Sequence, residues 1–490
     1  MLDDSAIAAL RDDLLAADYT LDGVSARLGD AALAGLGRNS TMAATRALGD
    51  ADDPQADLIR LWLLQRPVPA ARLQTLKSLP ALRAAALVTG TEELRATVEF
   101  KPHGSDVRHG WICSDQTPLD GHPGAPRTDF VLGASPASTT LTQLVSPGHH
   151  GRVLDLGTGC GIQALHLDAD EVVATDLNPR ALDLARISLG LSGVAADLRL
   201  GSLYEPVAGE RFDLIVTNPP YVISPPTDER LVYREGGFAG DGLMQEVVSG
   251  ASAHLTEGGR LVVLGNWAVT ERPWDDRLAD WIPADCDALV LERERLDPYE
   301  YIELWLADAG LAGADAYLTR YAEWLDYFAA HDIRSVGLGW LALSRSGRER
   351  PERRFESWPH AVHQPVGAAM GDFFDAIEPS RFPDDRFLAT RWHTPPGLVQ
   401  ETIGEPGAAD PQHLVLRQQY GLGRAVEAGT AVAAIVGACD GELPLGVLVG
   451  AVASLLDVDP EALLADVFSP LRTLVADGYL MSGPPTTSRV

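Results

Sequence analysis

Strand-like and helix-like segments alternate along the middle of this chain, from residue 152 to residue 344. Each strand-like segment is short and apolar, and most are separated by enough residues to form a helix. Because parallel strands need long crossover connections, this alternation predicts a parallel sheet covered by helices and an α/β fold. Seven strands are predicted, at RVLDLG (152–157), EVVATDL (171–177), ADLRLG (196–201), FDLIVTN (212–218), GRLVVLGN (259–266), ALVLERE (288–294) and SVGLGWLALS (335–344).

The residues before this region predict a helical domain over 1–95. Apolar residues recur there at helical spacing, as at Ile7, Leu10 and Leu14, and ADLIRLWLLQ (56–65) is apolar enough for a buried helix. The helical period fades between about 96 and 130, where two short strands of a hairpin are predicted at Thr97–Lys101 and Gly110–Ser114. We therefore expect a central domain over 96–345 that begins with this hairpin.

The residues after the predicted sheet indicate a third domain, over 350–490. An arginine-rich stretch, RSGRERPERR (345–354), is typical of a solvated linker, or of a docking strip for an acidic partner. Strand-like pieces follow at RFLATRW (386–392), GLVQETIG (397–404) and HLVLRQQYGL (413–422). Residues 424–482 predict three helices and a hairpin-like end, the order of a winged-helix fold.

The charge of the chain disfavours nucleic acid as a partner. The formal net charge is −30, and such a charge opposes binding to phosphates. Between residues 415 and 482, three arginines face eight acids, although a DNA-reading helix needs cations for phosphates and base edges. The winged-helix part is therefore expected to pack on the central domain or to bind a protein.

Other features of the composition predict a cytoplasmic protein without a metal site. The N-terminus lacks the basic and apolar segments of an export signal. The longest apolar stretch, Leu443–Leu456, is too short to span a bilayer, so no membrane partner is expected. The four cysteines lie far apart and form no CxxC pair, which predicts neither zinc nor a disulfide framework.

A glycine-rich turn follows the first predicted strand, in VLDLGTGCGIQALHL (153–167). Gly157, Gly159 and Gly161 let backbone amides approach a ligand closely, and the helix that follows favours a negative group at its N-terminus. The next strand ends at Asp176, whose carboxylate suits the two hydroxyls of a ribose. Because Asn178 precedes Pro179, Asn178 is the better helix cap, and Asp176 is expected to remain free for a ligand.

The fourth strand ends abruptly in FDLIVTNPPYV (212–222). Two consecutive prolines stop a strand because neither donates a backbone hydrogen bond. Ordinary turns use glycine, aspartate or a single proline. A polar and aromatic corner therefore follows a buried strand, which favours a functional role for Asn218, Pro219 and Tyr221.

Together, DLGTGCG (155–161), TDLNPRAL (175–182) and NPPYV (218–222) resemble the class I S-adenosylmethionine-dependent methyltransferases. Within that class they are most similar to the protein-(glutamine-N5) methyltransferases that modify peptide-chain release factors, and to the related adenine-N6 and guanine-N2 enzymes. The resemblance covers about residues 129 to 345. It implies a Rossmann-like sheet of seven strands, of which the last is antiparallel.

The resemblance also implies how S-adenosylmethionine is held. The Gly157–Gly161 loop, with Thr158, and the carboxylate of Asp155 would hold the methionine moiety, and Asp176 would hold the ribose. GSLYEP (201–206) would contact the adenine through Ser202 and Leu203, although the family often has aspartate where Ser202 stands. FVLGASPASTT (130–140) would cover the cofactor, and Asn218 would also contact it.

The Asn-Pro-Pro-Tyr corner suits a planar nitrogen as the methyl acceptor. The nitrogen of an amide or of an exocyclic amine is a poor nucleophile because its lone pair is delocalised. Asn218 Oδ1 and the carbonyl oxygen of Pro219 can accept both N–H bonds of such a nitrogen, and the prolines keep these acceptors in place. Tyr221 offers a flat face for a planar group. Neither a metal nor a strong base is required.

Three classes of methyl acceptor compete for this corner. The first is a glutamine in a protein such as a release factor or a ribosomal protein, favoured by NPPYV, by the Asp-Gly-Leu end of YREGGFAGDGL (233–243) and by the acidic charge. The family's Glu-Pro pair is replaced there by Arg234-Glu235-Gly236. The second class is an adenine or guanine amine in RNA or DNA, and the third is a small molecule or secondary-metabolite precursor. A cofactor-binding protein without catalysis is disfavoured by the intact Asn218.

Overall fold

A computed structural model of the chain describes residues 1–105, 108–121, 127–226, 238–406 and 412–483. The chain forms two compact units. The first comprises Met1–Thr142 and Gly148–Trp358, and the second comprises Gln143–Pro147 and Pro359–Val490. None of the described helices is long and apolar enough to cross a membrane.

The first ninety-six residues are mainly helical. Several helices begin at polar caps, as where the Asp3 carboxylate accepts a hydrogen bond from the backbone N–H of Ala6 and the Thr20 hydroxyl accepts one from that of Gly23. The strands of this region pair in the order β1-β3-β2. The elements are α1 (Asp4–Ala16), α2 (Leu21–Leu28), α3 (Asp30–Leu36), α4 (Met42–Leu48), α5 (Pro54–Leu58), β1 (Val68–Pro69), α6 (Leu79–Ala84), β2 (Val88–Thr89) and β3 (Glu93–Ala96).

The predicted hairpin is present as β4 (Val98–Gly104) and β5 (His109–Asp115), which pair antiparallel. Its apolar side packs on the N-terminal helices, where the rings of Phe100 and Trp62 meet edge to face with centroids 4.6 Å apart. The same core includes Leu10 of α1 and Ile187, which lies after the glycine-rich turn. Residues 1–95 therefore belong to one compact unit with the hairpin and the sheet.

The central region has the alternation that the sequence predicts. A helix precedes or follows most strands of the sheet. The elements are α7 (Pro136–Leu144), β6 (His150–Leu156), α8 (Ile162–His166), β7 (Ala169–Asp176), α9 (Pro179–Ser192), β8 (Asp197–Leu200), β9 (Phe212–Thr217), α10 (Gly242–His254), β10 (Leu255–Val269), α11 (Trp274–Ala279), β11 (Cys286–Leu296), α12 (Pro298–Asp308), α13 (Tyr317–Ala330), β12 (Ser335–Arg345) and β13 (Arg353–Ser357).

The strands form one mixed sheet in the order β13-β11-β12-β10-β9-β6-β7-β8. All seven predicted strands belong to it. Strand β12 runs antiparallel to β10 and to β11, whereas the other neighbouring strands pair in parallel. This order brings the carboxyl ends of β6, β7 and β9 side by side.

The prediction of seven strands is wrong by one, since the described sheet has eight. The extra strand, β13, begins inside the arginine-rich stretch that was expected to be a linker, and it pairs in parallel with β11. Backbone hydrogen bonds hold it, including one from the Ala288 amide to the Glu352 carbonyl oxygen at 2.8 Å. Such bonds are independent of side-chain type, so a strand of three charged residues, one phenylalanine and one serine gave no signal in the sequence.

The second unit contains helices and short antiparallel strands. Strands β15, β16 and β17 form one small sheet, and β14 pairs with β18. The elements are α14 (Gly367–Ser380), α15 (Asp384–Ala389), β14 (Trp392–His393), β15 (Leu398–Ile403), β16 (His413–Gln418), β17 (Ala425–Glu427), α16 (Thr430–Ala438), α17 (Leu445–Leu456), α18 (Pro460–Ala476) and β18 (Met481–Ser482).

The sequence predictions for the second unit have mixed outcomes. The strands expected at 397–404 and 413–422 are present, but most of RFLATRW (386–392) lies in helix α15, and only its last residue is in a strand. The N–H groups of Phe387 and Thr390 are bonded to carbonyl oxygens in the helical pattern, which the apolar alternation of this segment did not reveal. Three helices lie within 424–482. The winged-helix assignment stays a prediction, and β18, in the expected hairpin-like end, pairs with β14.

We predict that Leu10→Ala destabilises the first unit, because Leu10 is 1% exposed in the core that the N-terminal helices share with α9. The expected loss in the free energy of unfolding is about 2–5 kcal/mol. The matched control is Leu15→Ala on the same helix, where Leu15 is 50% exposed, and its effect should stay within about 0.5 kcal/mol. Urea unfolding followed by circular dichroism compares the two variants, and equal effects would contradict the shared core.

Candidate functional site

The candidate site lies where β6, β7 and β9 end side by side. Strand β6 leads into the glycine loop, β7 ends at Asp176 and β9 leads into Asn218. The register pairs Leu156 of β6 with both Thr175 of β7 and Thr217 of β9. Loops that follow adjacent parallel strands form a crevice, which is where ligands bind in open α/β sheets.

The backbone of the glycine loop requires its three glycines. Gly157, Gly159 and Gly161 have φ angles of 75°, 56° and 85°, which side chains with a Cβ atom rarely adopt. A Cβ at Gly157 or Gly159 would meet no atom within 4 Å, so these two residues border open space. A Cβ at Gly161 would instead lie 3.3 Å from Leu189 of α9. The first two glycines therefore face the crevice, and the third allows α8 to pack against α9.

Asp155 organises this loop from inside the protein. Its side chain is 1% exposed, and its Oδ2 atom accepts hydrogen bonds from the Thr158 hydroxyl at 2.6 Å and from the Ala164 backbone N–H at 3.1 Å. Burial raises the pKa of Asp155 to about 6, although both hydrogen bonds oppose the increase. Asp155 therefore supports the loop and the first turn of α8, and Thr158 is buried with it.

Asp176 is not free, contrary to the prediction from sequence. Its Oδ2 atom accepts a hydrogen bond from the Gly159 backbone N–H at 2.9 Å, and its Oδ1 atom accepts one from that of Asn178 at 2.8 Å. Both donors are backbone groups brought close by the fold, so the sequence could not reveal them. Each carboxylate oxygen keeps a second lone pair for a ligand. Burial raises the pKa of Asp176, and the hydrogen bonds from the amides act against it.

Asn178 caps α9, as the sequence predicts. Its Oδ1 atom accepts a hydrogen bond from the Arg180 backbone N–H at 3.0 Å. Its Nδ2 atom also donates to the carbonyl oxygen of Asp129 at 3.0 Å, just before the segment expected to cover the cofactor. That segment is anchored again where the Val131 N–H donates to the Asp115 carboxylate at 2.9 Å. Residues 129–131 are therefore held beside the end of β7.

The segment after β8 is placed next to Asp176. The Gly201 backbone N–H donates to the carbonyl oxygen of Asp176 at 3.0 Å. Ser202 is half-buried, and its carbonyl oxygen accepts a hydrogen bond from the Glu205 N–H, which opens a short 3₁₀ turn. Leu203 has a φ of 46° and packs partly against the core on one face of the sheet. Ser202 and Leu203 thus lie one strand further along the same edge, where an adenine contact was expected.

The corner after β9 carries a polar atom without a partner. The Thr217 hydroxyl donates to the carbonyl oxygen of Leu156 at 2.6 Å, which ties the end of β9 to β6. The next residue, Asn218, has a buried Oδ1 atom with no hydrogen-bond partner among the described residues. Pro219 is buried, Tyr221 is half-buried, and burial raises the pKa of Tyr221. An unpaired buried acceptor is costly, which is typical of a site that receives its donor from a ligand.

Sequence reasoning missed the residues that support this corner. The Tyr301 hydroxyl accepts hydrogen bonds from the Ile223 backbone N–H at 2.9 Å and from Asn266 Nδ2 at 2.7 Å. The Trp305 ring meets the Tyr221 ring edge to face, with centroids 6.4 Å apart. Tyr301 and Trp305 belong to α12, about 80 residues after the corner. Their only signal in the sequence is the density of aromatic residues between 299 and 328.

The matching Asp-Gly-Leu begins at Asp241, whose carboxylate accepts hydrogen bonds from the Ala268 N–H and from Arg277, so it anchors the start of α10. Arg234-Glu235-Gly236 lies outside the described residues. His103 is half-buried and hydrogen-bonded to His166 at 2.8 Å, and burial lowers the pKa of both, that of His166 to about 4.

The arginine-rich stretch has fewer charges to offer a partner than its composition indicates. Arg345 pairs with Asp285, Arg348 pairs with the buried Asp287, and Arg354 pairs with Glu356. The role of a docking strip stays a prediction. No group of three or more residues able to hold a metal ion occurs among the described residues.

The residues present fit S-adenosylmethionine. The open space beside Gly157 and Gly159 admits an amino-acid moiety close to the backbone. The Asp176 carboxylate lies at the tip of β7 with lone pairs to accept ribose hydroxyls, and Leu203 offers an apolar neighbour for a base. We therefore keep the predicted cofactor-binding residues as proposals, with Asp155 and Thr158 as supports of the loop.

Two families match parts of this chain. Residues 134–274 match the family described as "Methyltransferase small domain". Residues 16–97 match the family described as "Domain of unknown function (DUF7059)".

Similar proteins include glutamine methyltransferases from several bacteria. The release factor glutamine methyltransferase of Xylella fastidiosa (strain Temecula1) is 33% identical over 213 residues, which are 39% of this chain and 71% of that protein. The release factor glutamine methyltransferase of Deinococcus radiodurans is 43% identical over 152 residues, which are 28% and 51% of the two chains. The ribosomal protein uL3 glutamine methyltransferase of Bradyrhizobium diazoefficiens is 35% identical over 126 residues, which are 23% and 39%.

We predict that Asp176→Ala weakens S-adenosylmethionine binding by about 1.5–3 kcal/mol, the value of a hydrogen bond to a charged group. The change also releases the Gly159 N–H, which Asp176 now holds. Calorimetric titration of the cofactor measures the loss. Asp168→Asn, just before the opposite end of the same strand, is the control and should bind as the wild type does. Wild-type affinity in Asp176→Ala would remove this residue from the site.

We also predict that Asp155→Asn changes how stability depends on pH. Because the folded pKa of Asp155 is raised to about 6, its stabilising contribution is full below the unfolded pKa and is lost as the pH rises through about 6. Relative to Asp155→Asn, the wild type should lose roughly 2–3 kcal/mol of unfolding free energy between about pH 4 and pH 7. Urea unfolding of both proteins at these two pH values measures the difference. Parallel pH profiles would contradict an elevated pKa.

Proposed function

We propose that this chain, which belongs to the family of release factor glutamine methyltransferases, methylates the side-chain nitrogen of a glutamine in a protein. The chain is an S-adenosylmethionine-dependent methyltransferase.

The observation that carries the proposal is the unpartnered Oδ1 atom of Asn218. A buried acceptor without a donor costs about 1–3 kcal/mol, and the chain keeps this one at the end of a strand that is otherwise well bonded. A primary amide brings two N–H donors on one nitrogen. One of them can bind Asn218 Oδ1, which satisfies the buried oxygen only when substrate is present.

The second N–H has an acceptor in the Pro219 carbonyl, one residue further along the chain. Acceptance of both N–H bonds draws the lone pair of the nitrogen out of conjugation and supports the positive charge that develops there. The two prolines fix φ at this corner, so the acceptors need little reorganisation. Tyr221 lies two residues beyond Pro219, where its ring can cover the planar amide. The nitrogen loses one proton when it gains the methyl group.

S-adenosylmethionine supplies, when bound, a methyl group on a positively charged sulfur, which needs no further activation. The chain's own contribution is to hold that group beside Asn218. The Gly157–Gly159 loop follows β6, which pairs with β9, and Asp176 ends β7 on the other side of β6, so the cofactor and the acceptor nitrogen would meet at one edge of the sheet.

A protein is favoured as substrate by the similar proteins and by charge. The relatives named above are described as acting on a release factor or on ribosomal protein uL3. The net charge of −30 opposes a nucleic acid. The sequence raised two alternative methyl acceptors, a nucleic-acid base and a small molecule. No feature of the described site specifically favours either of them.

We predict that Asn218→Ala lowers methyl transfer by roughly 10²–10³-fold while cofactor affinity stays within a few-fold, because one preorganised acceptor of developing charge is lost. The assay incubates enzyme and labelled cofactor with a purified release factor and maps the methylated residue by mass spectrometry. Tyr221→Phe is the control and should be milder than Tyr221→Ala, since the ring is proposed to matter more than the hydroxyl. Normal turnover by Asn218→Ala would favour methylation of an oxygen or a carbon instead.

A further inference from the structure

The connection between β11 and β12 is much longer than its geometry requires. The two strands are antiparallel neighbours, and Leu296 pairs with Val336 at their joined ends. A tight turn of a few residues can join such strands. Residues 297–334 instead form α12, a loop and α13. We call residues 298–330 the acidic hairpin, and the structure describes all of them.

The acidic hairpin is fastened to the methyl-acceptor corner. Tyr301 and Trp305 of α12 contact Ile223 and Tyr221, as described above. The Tyr327 hydroxyl of α13 accepts a hydrogen bond from the Gly240 N–H at 2.8 Å. A common core joins the inner faces of both helices to Val222 and Ile223. The hairpin is therefore a rigid neighbour of the corner and has a fixed position beside it.

The outer face of the acidic hairpin combines negative charge with exposed apolar side chains. Its acids are Glu300, Glu303, Asp308, Asp315, Glu323 and Asp326, and all of them are exposed. Its single cation, Arg320, forms an ion pair with Glu323. Three large apolar side chains are also exposed, Tyr299 (58%), Leu304 (49%) and Leu318 (77%). Exposed apolar side chains rimmed by one sign of charge are typical of a protein-binding surface.

A second unpartnered amide oxygen lies beneath the hairpin, on β10. Asn266 of β10 is 0% exposed, and its Nδ2 atom donates to the Tyr301 hydroxyl. Its Oδ1 atom has no hydrogen-bond partner among the described residues. Val263 of β10 pairs with Thr217 of β9, the residue just before Asn218. Asn266 lies three residues further along β10. The buried Oδ1 atoms of Asn218 and Asn266 therefore belong to neighbouring strands or their ends, and neither has a hydrogen-bond partner among the described residues.

We propose that the acidic hairpin docks a basic segment of the protein substrate, next to the glutamine that enters the Asn-Pro-Pro-Tyr corner. This inference rests on the proposed function and adds the chemistry of the sequence around the target. Lysine and arginine side chains of the substrate meet the exposed acids, and its apolar side chains cover Leu304 and Leu318.

Charge complementarity favours a basic protein segment over other partners of the acidic hairpin. The hairpin holds six acids and one paired arginine, so a phosphate backbone is repelled and a second copy of this acidic chain is disfavoured. A basic segment is attracted at long range and is held at short range by the apolar side chains. Such an interaction is screened by salt, since exposed charges interact over about 10 Å at 0.1 M ionic strength.

The test compares two variants that change the net charge equally. The first is Glu303→Gln/Asp315→Asn/Asp326→Asn on the acidic hairpin. The matched control is Asp12→Asn/Asp50→Asn/Glu92→Gln, which neutralises exposed acids elsewhere in the first unit. The probes are two fluorescent peptides with one central glutamine, flanked by lysines in one and by serines in the other. Fluorescence anisotropy measures binding, and methyl incorporation from labelled cofactor measures turnover.

We expect the hairpin variant to bind the lysine peptide roughly fivefold more weakly than the wild type at about 50 mM salt, and the difference to shrink at about 500 mM. The control should bind as the wild type does, and the serine peptide should bind weakly to all three proteins. Equal loss in both variants would overturn the proposal, because the overall charge would then be responsible. Failure of the wild type to prefer the lysine peptide, or equal binding of a short single-stranded RNA, would overturn it as well.

The readouts separate this proposal from the function on which it rests. If the lysine peptide binds at the hairpin but its glutamine gains no methyl group, while a release factor gains none either, the proposed function fails and the docking surface stands. If the glutamine is methylated equally in both peptides, with equal KM, the function stands and the docking surface is wrong.

Discussion

Three backbone amides of the glycine loop are bonded to the end of one neighbouring strand, and the arrangement of the site depends on these bonds. The N–H groups of Gly157 and Thr158 donate to the Thr175 carbonyl oxygen at 2.9 and 2.8 Å, and that of Gly159 donates to the Asp176 carboxylate. These bonds need φ values that only glycine adopts readily at Gly157 and Gly159. They fix the loop against β7, so the open side of the loop faces the crevice. The proposed contacts of the cofactor with the glycine loop follow from this placement.

Two buried carboxylates give this loop its electrostatic character. Asp155 supports it from below and Asp176 from the side, and burial raises the pKa of both, while hydrogen bonds to each carboxylate oppose the increase. Burial of two acids near each other is unfavourable unless donors surround them. Here the donors are the Thr158 hydroxyl and the backbone amides of Gly159, Ala164 and Asn178. The same groups that donate hydrogen bonds to the carboxylates therefore also hold the loop in shape.

The acceptor corner depends on a different part of the chain from the cofactor loop. Asn218 follows directly after β9, but the segment after Asn218 is held by α12 through Tyr301 and Trp305. Under the proposed function, these two regions would have two tasks. The first strands of the sheet would hold the cofactor, and the inserted helices would shape the side on which the substrate arrives. Methyltransferases that share the first part can therefore differ in substrate through the second.

The sequence by itself determined the strands, the glycine loop and the acceptor corner of this protein. Apolar periodicity, glycine spacing and paired prolines are local signals, and they correctly indicated all seven expected strands and the helix cap at Asn178. The tertiary structure decided what lies across from these elements. Only the fold brings Gly159 to Asp176, Tyr301 to Ile223 and the N-terminal Leu10 into one core with Ile187. It also added β13, whose backbone bonds leave no pattern in side chains. The physical reason is the same in each case: a contact between distant residues depends on their approach in space, which local propensity does not encode.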